Sequence, residues 1–246
     1  MLVGLFADIH ANREALSACL GHAERSGVDR FVFLGDYVGY GADPGWVIET
    51  ISAYVERAGV AIAGNHDVAI ESPEERMNPT AEEAIAWTRA RLDAAQRAYL
   101  RALPVAVEEG DRLFVHASAA RPRDWEYITG PRAALRSLRA TTCRQTFCGH
   151  VHVPALYHAT AAGSVGEFVP VAESEIPLLP RQQWLAVLGS VGQPRDGNPA
   201  ACYALLDDTR NLLTYLRVLY DVDTAARKIR AAGLPPVLAA RLERGY

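Results

Sequence analysis

Short apolar runs alternate with helical periodicities at the start of the chain: "LVGLFA", "REALSACLGHAERSG", "RFVFLG", "PGWVIETISAYVERAG" and "VAIAG" follow one another. Such alternation predicts βαβ units whose strands are buried and mostly parallel. The first helix is expected to open at Asn12 as N-cap, to bury Leu16, Cys19, Leu20 and Ala23, and to stop near Gly27. A second follows Asp43 and Pro44, a proline suited to the first turn. From residue 72 to 104 the pattern is helical throughout, with Thr80 and Glu83 spaced as a capping box and Pro104 as the stop. That helical pair could cover a site as well as a sheet. Strands are expected at "VAVEE", "RLFVHA" and "QTFCG", with the helical pattern "PRAALRSLRA" between the last two. Beyond residue 153 the reading is mostly β ("ALYHA", "WLAVLG", "CYALLD", "NLLTYLRVLY"), and the short links point to antiparallel pairing. Residues 222 to 246 read as one or two helices divided at Pro235 and Pro236. No repeat, low-complexity segment or linker divides the pattern, so residues 1–246 are expected to form a single α/β domain.

Composition narrows this only a little. Hydrophobic residues at 50%, charged residues at 22% and a formal charge of -4 are ordinary for a globular protein and make no electrostatic case for a nucleic-acid polymer. "MLVGLFADIH" has no basic n-region, and its apolar run is too short for a signal segment or a membrane span. The expectation is a cytoplasmic protein without a membrane partner. Cys19, Cys143, Cys148 and Cys202 form no CxxC pair and read as small buried hydrophobes, which argues against thiolate ligation of a metal.

The candidate chemistry lies where the apolar runs stop. In "VAIAGNHDV", Asn65, His66 and Asp67 stand side by side after a glycine, a combination that suits a turn and helix cap as well as a metal or a proton. The other runs are followed by Asp8 and His10, by Asp36, by His116, and by His150 and His152. In open α/β sheets the carboxyl ends of the strands converge on one crevice, where ligands bind. On extended segments residues i and i+2 share a face, so Asp8 with His10, and His150 with His152, are each expected to grip one centre. An Asp can cap a helix, a buried His can be a hydrogen-bonded core residue, and Asn is common in turns. Those uses taken singly do not explain why five of the seven His follow apolar strands in this order. Of the other two, His22 reads as a solvated helix residue and His158 is unassigned. Carboxylate, imidazole and amide oxygen without thiolate suit divalent ions such as Mn, Fe, Zn or Co. Seven ligands exceed one four-coordinate site and divide between two ions bridged by a carboxylate, as in two-metal hydrolases.

"DIH", "GD", "GNHD", "VHAS" and "GHVH", in this order across residues 8 to 152, resemble the signature of the calcineurin-like metallophosphoesterases. The resemblance implies a four-layer αββα sandwich of two mixed β-sheets flanked by helices, with the mostly β stretch after residue 153 fitting the second sheet. It also implies that one metal takes Asp8, His10 and His152, the other takes Asn65, His116 and His150, and Asp36 bridges them. His66 then donates a proton to the leaving oxygen, with Asp67 orienting it. The implied reaction is attack on phosphorus by a metal-bridging hydroxide. Members that are Ser/Thr protein phosphatases or symmetrical dinucleotide hydrolases carry GD-x-x-D-R-G. Here "GDYVGYG" puts Gly39 and Tyr40 at the acidic and basic places, which weakens that reading and favours the compact bacterial and archaeal phosphoesterases. "GSVGQPRDG", residues 189 to 197, resembles a loop of that group; Arg195 would bring a guanidinium to substrate there, or the stretch is an ordinary turn. Asn12 caps its helix or contacts substrate, with the cap favoured. Trp125 and Tyr127 follow His116 and either line a pocket or sit on the surface. The expected activity is hydrolysis of small phosphodiesters or phosphomonoesters, with a small phosphate ester as partner and a homo-oligomer left open. The alternatives are a protein-binding scaffold on the same fold, or a protein or dinucleotide phosphatase.

Overall fold

Strands and helices alternate as the apolar pattern requires: β1 (Leu2–Phe6), α1 (Arg13–Arg25), β2 (Arg30–Phe33), α2 (Pro44–Val55) and β3 (Val60–Ala61). The computed structural model describes residues 1–72, 75–160 and 163–246. Residues 73 and 74, in the stretch expected to be helical, and 161 and 162, in the mostly β stretch, lie outside the described residues. The short α3 (Asn65–Ala69) comes next, and the stretch expected to be helical holds α4 (Pro79–Arg89) and α5 (Ala94–Ala102). There follow β4 (Ala106–Glu109), β5 (Arg112–Val115), α6 (Pro131–Arg139), β6 (Gln145–Cys148) and β7 (Ala155–Ala159). The chain continues through β8 (Val165–Phe168), β9 (Glu175–Pro177), β10 (Gln183–Val187), β11 (Ala201–Asp207) and β12 (Leu212–Val218). It ends in α7 (Val222–Ala231) and α8 (Pro236–Arg244).

The strands form two mixed six-stranded sheets, ordered β3-β2-β1-β11-β12-β9 and β4-β5-β6-β10-β7-β8. Parallel pairs β1 with β2 and β5 with β6 lie at the heart of each. Side chains that alternate along a strand serve different layers. Val3 and Leu5 join Phe114, Phe147 and Leu206 in the core between the sheets, whereas Phe6, with Phe33 and Tyr203, packs outward under α1 and α2. On the far side Leu113, Val115 and Leu185 pack against Ala134 and Leu138 of α6. Helix, sheet, sheet and helix therefore succeed one another, as expected. The strands after residue 153 do not make up the second sheet alone, however. β7, β8 and β10 join it, while β9, β11 and β12 extend the first, because β11 pairs antiparallel with β1.

Three local expectations are corrected. α4 is capped by Asn78, whose Oδ1 accepts from Ala81 N at 3.0 Å, and Thr80 lies inside the helix; the proline at 79 takes the first helical position, two residues earlier than expected. The capping box of this region belongs to α5, between Asp93 and Gln96. His22 is half-buried, with Nδ1 2.7 Å from the Tyr203 hydroxyl. The terminal helices pack on α4 through Ala81, Ala84, Ile229 and Leu238, in a cluster that includes Tyr40. Lys228 Nζ ties α7 to Glu14 and Asp43 at 2.5 and 2.8 Å, and Trp87 Nε1 donates to the Ala232 carbonyl at 2.9 Å. Asp43 thus spends its carboxylate on Lys228 and makes no side-chain cap for α2. Among the described residues no helix is long and apolar enough to cross a membrane.

Candidate metal centre and its cleft

The loops that leave β1, β2, β3, β5 and β6 meet at one place. They are not extended: Asp8, His10, Asp36, His150 and His152 all have positive φ, between 49° and 67°. Non-glycine residues hold such backbone at a cost of about 1–3 kcal/mol each, and only where neighbours over-determine it. Here Asp8 N, His10 N and Ala11 N donate to the Gly35, Asp36 and Tyr37 carbonyls at 3.1, 2.9 and 2.7 Å, which zips the first loop to the second. Two glycines leave room for the carboxylates. A Cβ on Gly64 would stand 2.2 Å from Asp36 Oδ1, and one on Gly149 would stand 2.4 Å from Asp8 Oδ2.

The side chains fall into two groups that share Asp36: Asp8, His10, Asp36 and His152 in one, and Asp36, His116 and His150 in the other, with ligand atoms within 4.8 Å of one another. The shared-face argument therefore fails for His150 and His152, which part to different groups because left-handed backbone at both turns their side chains away from strand alternation. The tautomers follow from backbone contacts. Nδ1 of His10, His116 and His152 faces the carbonyls of Val38, Leu34 and Gln193 at 3.2, 2.7 and 2.6 Å. A ring that donates Nδ1–H to a carbonyl presents Nε2 as a bare lone pair, the usual preparation of a metal-binding imidazole. His10 Nε2 and His152 Nε2 then face each other at 3.0 Å, two acceptors with no proton between them. A cation satisfies both. The buried Asn65 Oδ1 and His150 Nε2 also lack a hydrogen-bond partner, and His116 Nε2 lies 3.4 Å from Asp36 Oδ2. Orphaned buried acceptors of this kind call for an explanation, and a divalent ion in each group supplies one.

Electrostatics agree with that fit. Burial depresses the His10 and His152 rings well below the usual imidazole range and brings His150 down to about 3, so all three are neutral. Burial pushes Asp8 up to about 8. Burial would raise Asp36, but His116 and His66 together hold it well below the carboxylate range. His116 is the counterpart: burial works to lower it, yet Asp36 and Asp8 raise it to about 9. A cation bound to these ligands would compete with protons for Asp8 and His116.

Asn65, His66 and Asp67 open the short helix α3, as the turn-and-helix reading of GNHD expects. The His66 ring is buried against His10 and Tyr40, with centroids at 4.7 and 4.5 Å, and Nε2 lies 4.0 Å from Asp36 Oδ2. Burial brings its pKa down to about 4. Asp67 does not orient this ring. Its oxygens accept backbone N–H groups of Asp36, Tyr37 and Gly64 at 2.7, 2.9 and 2.9 Å, while His66 Nδ1 has no hydrogen-bond partner. Asp67 is a staple between the two loops that carry Asp36 and Asn65.

An open cleft of about 830 Å³ rises from Asn65, His66 and His150 and is lined by Tyr40, Trp125 and Tyr127. Tyr127 stacks on the His150 ring at 4.0 Å and Trp125 meets the His116 ring edge-on at 5.9 Å, so both aromatics belong to the pocket wall. Arg195 lines the mouth of the site, 5.8 Å from the centre of the Tyr40 ring. Asn12 does not take the substrate-contacting place. Its Oδ1 accepts from Ala15 N at 3.1 Å and its Nδ2 donates to the Gly192 carbonyl at 2.8 Å, which occupies the amide as helix cap and loop tie. Sequence reasoning passed over Tyr40 as a contact and did not find Asn78 or Arg241, which line the same mouth. Asn78 carried a readable signal, an Asn just before a helix-starting proline.

The model of the calcineurin-like phosphoesterase superfamily domain matches residues 1–211. An uncharacterized protein of Methanocaldococcus jannaschii is 32% identical over 247 residues, covering 98% of this chain and 97% of its own length. The crystal structure of a metallophosphoesterase from Sphaerobacter thermophilus superposes with a TM-score of 0.88 at 34% identity, covering 100% of this chain and 99% of that one. A hypothetical protein of Pyrococcus horikoshii shares the fold, with a TM-score of 0.82 at 21% identity over 100% and 98% of the two chains.

Proposed function

This chain belongs to the calcineurin-like phosphoesterase superfamily, and from that premise we propose that it is a dinuclear metal-dependent hydrolase of small phosphodiesters or phosphomonoesters. The observation that carries the reading is the pair of ligand groups sharing Asp36, with bare acceptors that no other described residue satisfies. Asp8, His10 and His152 would hold one ion, Asn65, His116 and His150 the other, and Asp36 both. When bound, ions of the Mn, Fe, Zn or Co type supply an acidified water as nucleophile and offset charge on the phosphoryl oxygens.

The remaining work falls to the chain. His10, His116 and His152 are held by carbonyls behind them, so the ligand atoms are in place before substrate arrives. Asp67 keeps the Asp36 and Asn65 loops in register. His66 lines the cleft and would give its proton to the leaving oxygen. Burial leaves this ring neutral in the free chain, so the charge of an incoming phosphate is what raises its affinity for a proton. Arg195 would meet the phosphoryl group at the mouth. A protein-binding scaffold has no use for His66 beside a complete ligand set.

The test is a screen of phosphate esters with Mn-loaded protein. Hydrolysis that a chelator abolishes, and that Mn or Co restores, is expected; inertness toward every monoester and diester after loading with each of the four metals would refute the reading.

A further inference from the structure

Asp36, His150 and His152 line a cavity of about 60 Å³. One water needs at least roughly 10–15 Å³ of such space, so the cavity can admit a small anion. Two guanidinium-bearing residues from distant parts of the sequence line it, Arg195 from the loop after β10 and Arg241 from α8. α8 lies beyond residue 211, where the family match ends.

The two carriers are fastened together and to the metal floor. Arg195 N donates to the His152 carbonyl at 3.1 Å, and Gly197 N donates to the Gly245 carbonyl at 2.9 Å. Gly245 caps α8 with a φ of 75°, and a Cβ there would stand 2.7 Å from the Asn198 carbonyl carbon, so this close seat of helix on loop requires glycine. The carboxylates beside them in sequence are taken by other cations: Asp196 pairs with Arg217 of β12, and Glu243 with Arg230 of α7 at 2.6 Å. Neither Arg195 nor Arg241 has an ion pair among the described residues. Arg195 donates only to the neutral Gln193 Oε1, at 2.9 and 3.3 Å, and among the described residues the Arg241 side chain has no hydrogen bond or ion pair. Asp36 is the acid that lines the same cavity, and bound metal ions would claim its carboxylate, which leaves the two half-buried arginines to an incoming anion; guanidinium is the donor best matched to phosphate oxygens.

We propose that Arg241 and Arg195 form a guanidinium pair that receives the phosphoryl group, and that the site is built for the dianion of a phosphomonoester. The proposal rests on the phosphoesterase reading of the metal centre. A monoester presents three non-bridging oxygens and close to two negative charges, whereas a diester presents two oxygens and one charge. The second guanidinium is therefore matched to the monoester.

The experiment compares Mn-loaded wild type with Arg241→Ala, Arg241→Lys and the Arg195→Ala/Arg241→Ala double variant. Inorganic phosphate binding is measured by calorimetry, and KM is measured for nitrophenyl phosphate and bis-nitrophenyl phosphate; metal content and circular dichroism serve as controls. Arg241→Ala is expected to weaken phosphate and raise the monoester KM by about tenfold or more, with a much smaller change on the diester. Arg241→Lys, which keeps the charge and serves as the folded comparison if the alanine variant is unstable, should recover part of the loss. Phosphate affinity within twofold of wild type in Arg241→Ala, or equal losses on both esters, would overturn the proposal. If wild type binds phosphate through Arg241 yet hydrolyses neither ester, the anion site stands and the phosphoesterase reading fails. Turnover that is indifferent to Arg241 is the reverse result.

Discussion

Asp8, His10, Asp36, His150 and His152 stand on left-handed backbone where central strands end, whereas Asn78 and Arg241 are presented through the packing of α4, α7 and α8. The floor of the cleft is thus made of individually strained residues, each held by hydrogen bonds from a neighbouring loop. The part of its wall that α4 and α8 supply is made of ordinary helices, whose place is set by apolar contacts and a few ties such as Lys228 and Trp87. Strain that is over-determined from several sides tolerates little change, while a wall of packed helices can change one side chain and keep its shape. Metal affinity should therefore depend on the floor, and substrate choice on the wall.

His66 sits where the two regions meet, with Asp36 on one side and Tyr40 on the other. Replacing it tests whether the border residue belongs to the metal or to the leaving group. His66→Gln should keep its metals and lose on the order of 10²–10⁴ in rate on alkyl esters, because a general acid contributes that much. The loss should shrink on a nitrophenyl ester, whose leaving group departs as a stabilised anion. Equal losses on both would make His66 a phosphate-binding or positioning residue, and loss of an ion would make it a ligand.

Arg195 belongs to the wall although its loop touches the floor. Arg195→Ala is expected to cost about 1.5–3 kcal/mol in kcat/KM, the range of a charge-assisted hydrogen bond, with metal content intact. Unchanged kinetics would return the loop to the ordinary turn that its composition also allows. Asn12 sharpens the comparison from the other direction. It adjoins His10 yet is occupied as a helix cap, so Asn12→Ala should reduce unfolding free energy by about 0.5–2 kcal/mol. KM should barely move; a large rise in KM with unaltered denaturation would restore Asn12 to the substrate.

The floor was legible in the sequence because its residues follow apolar runs directly, and the order of the sheets then brings those run-ends together. What escaped was the backbone between them. The pairing of His150 with His152 assumed extended geometry, and positive φ at both sends them to different groups. Asp67 was placed on His66 because they are adjacent, yet its oxygens are consumed by backbone donors 30 and 31 residues away in sequence. β8 and β9 were missed because they are outermost strands with much of their surface in solvent, which leaves little apolar signal. Arg241 could not have been found at all. Its helix reaches the cleft only because α7 and α8 fold back onto α4 and Tyr40, and nothing near position 241 in the sequence encodes that return.

The central claim is that the seven ligands make two ion sites joined at Asp36. Calorimetric titration of metal-free protein with Mn, checked by elemental analysis after desalting, tests it most directly. The account predicts two equivalents per chain in wild type, falling in Asp36→Asn together with turnover. A plateau at one equivalent, left unchanged by Asp36→Asn, would contradict it.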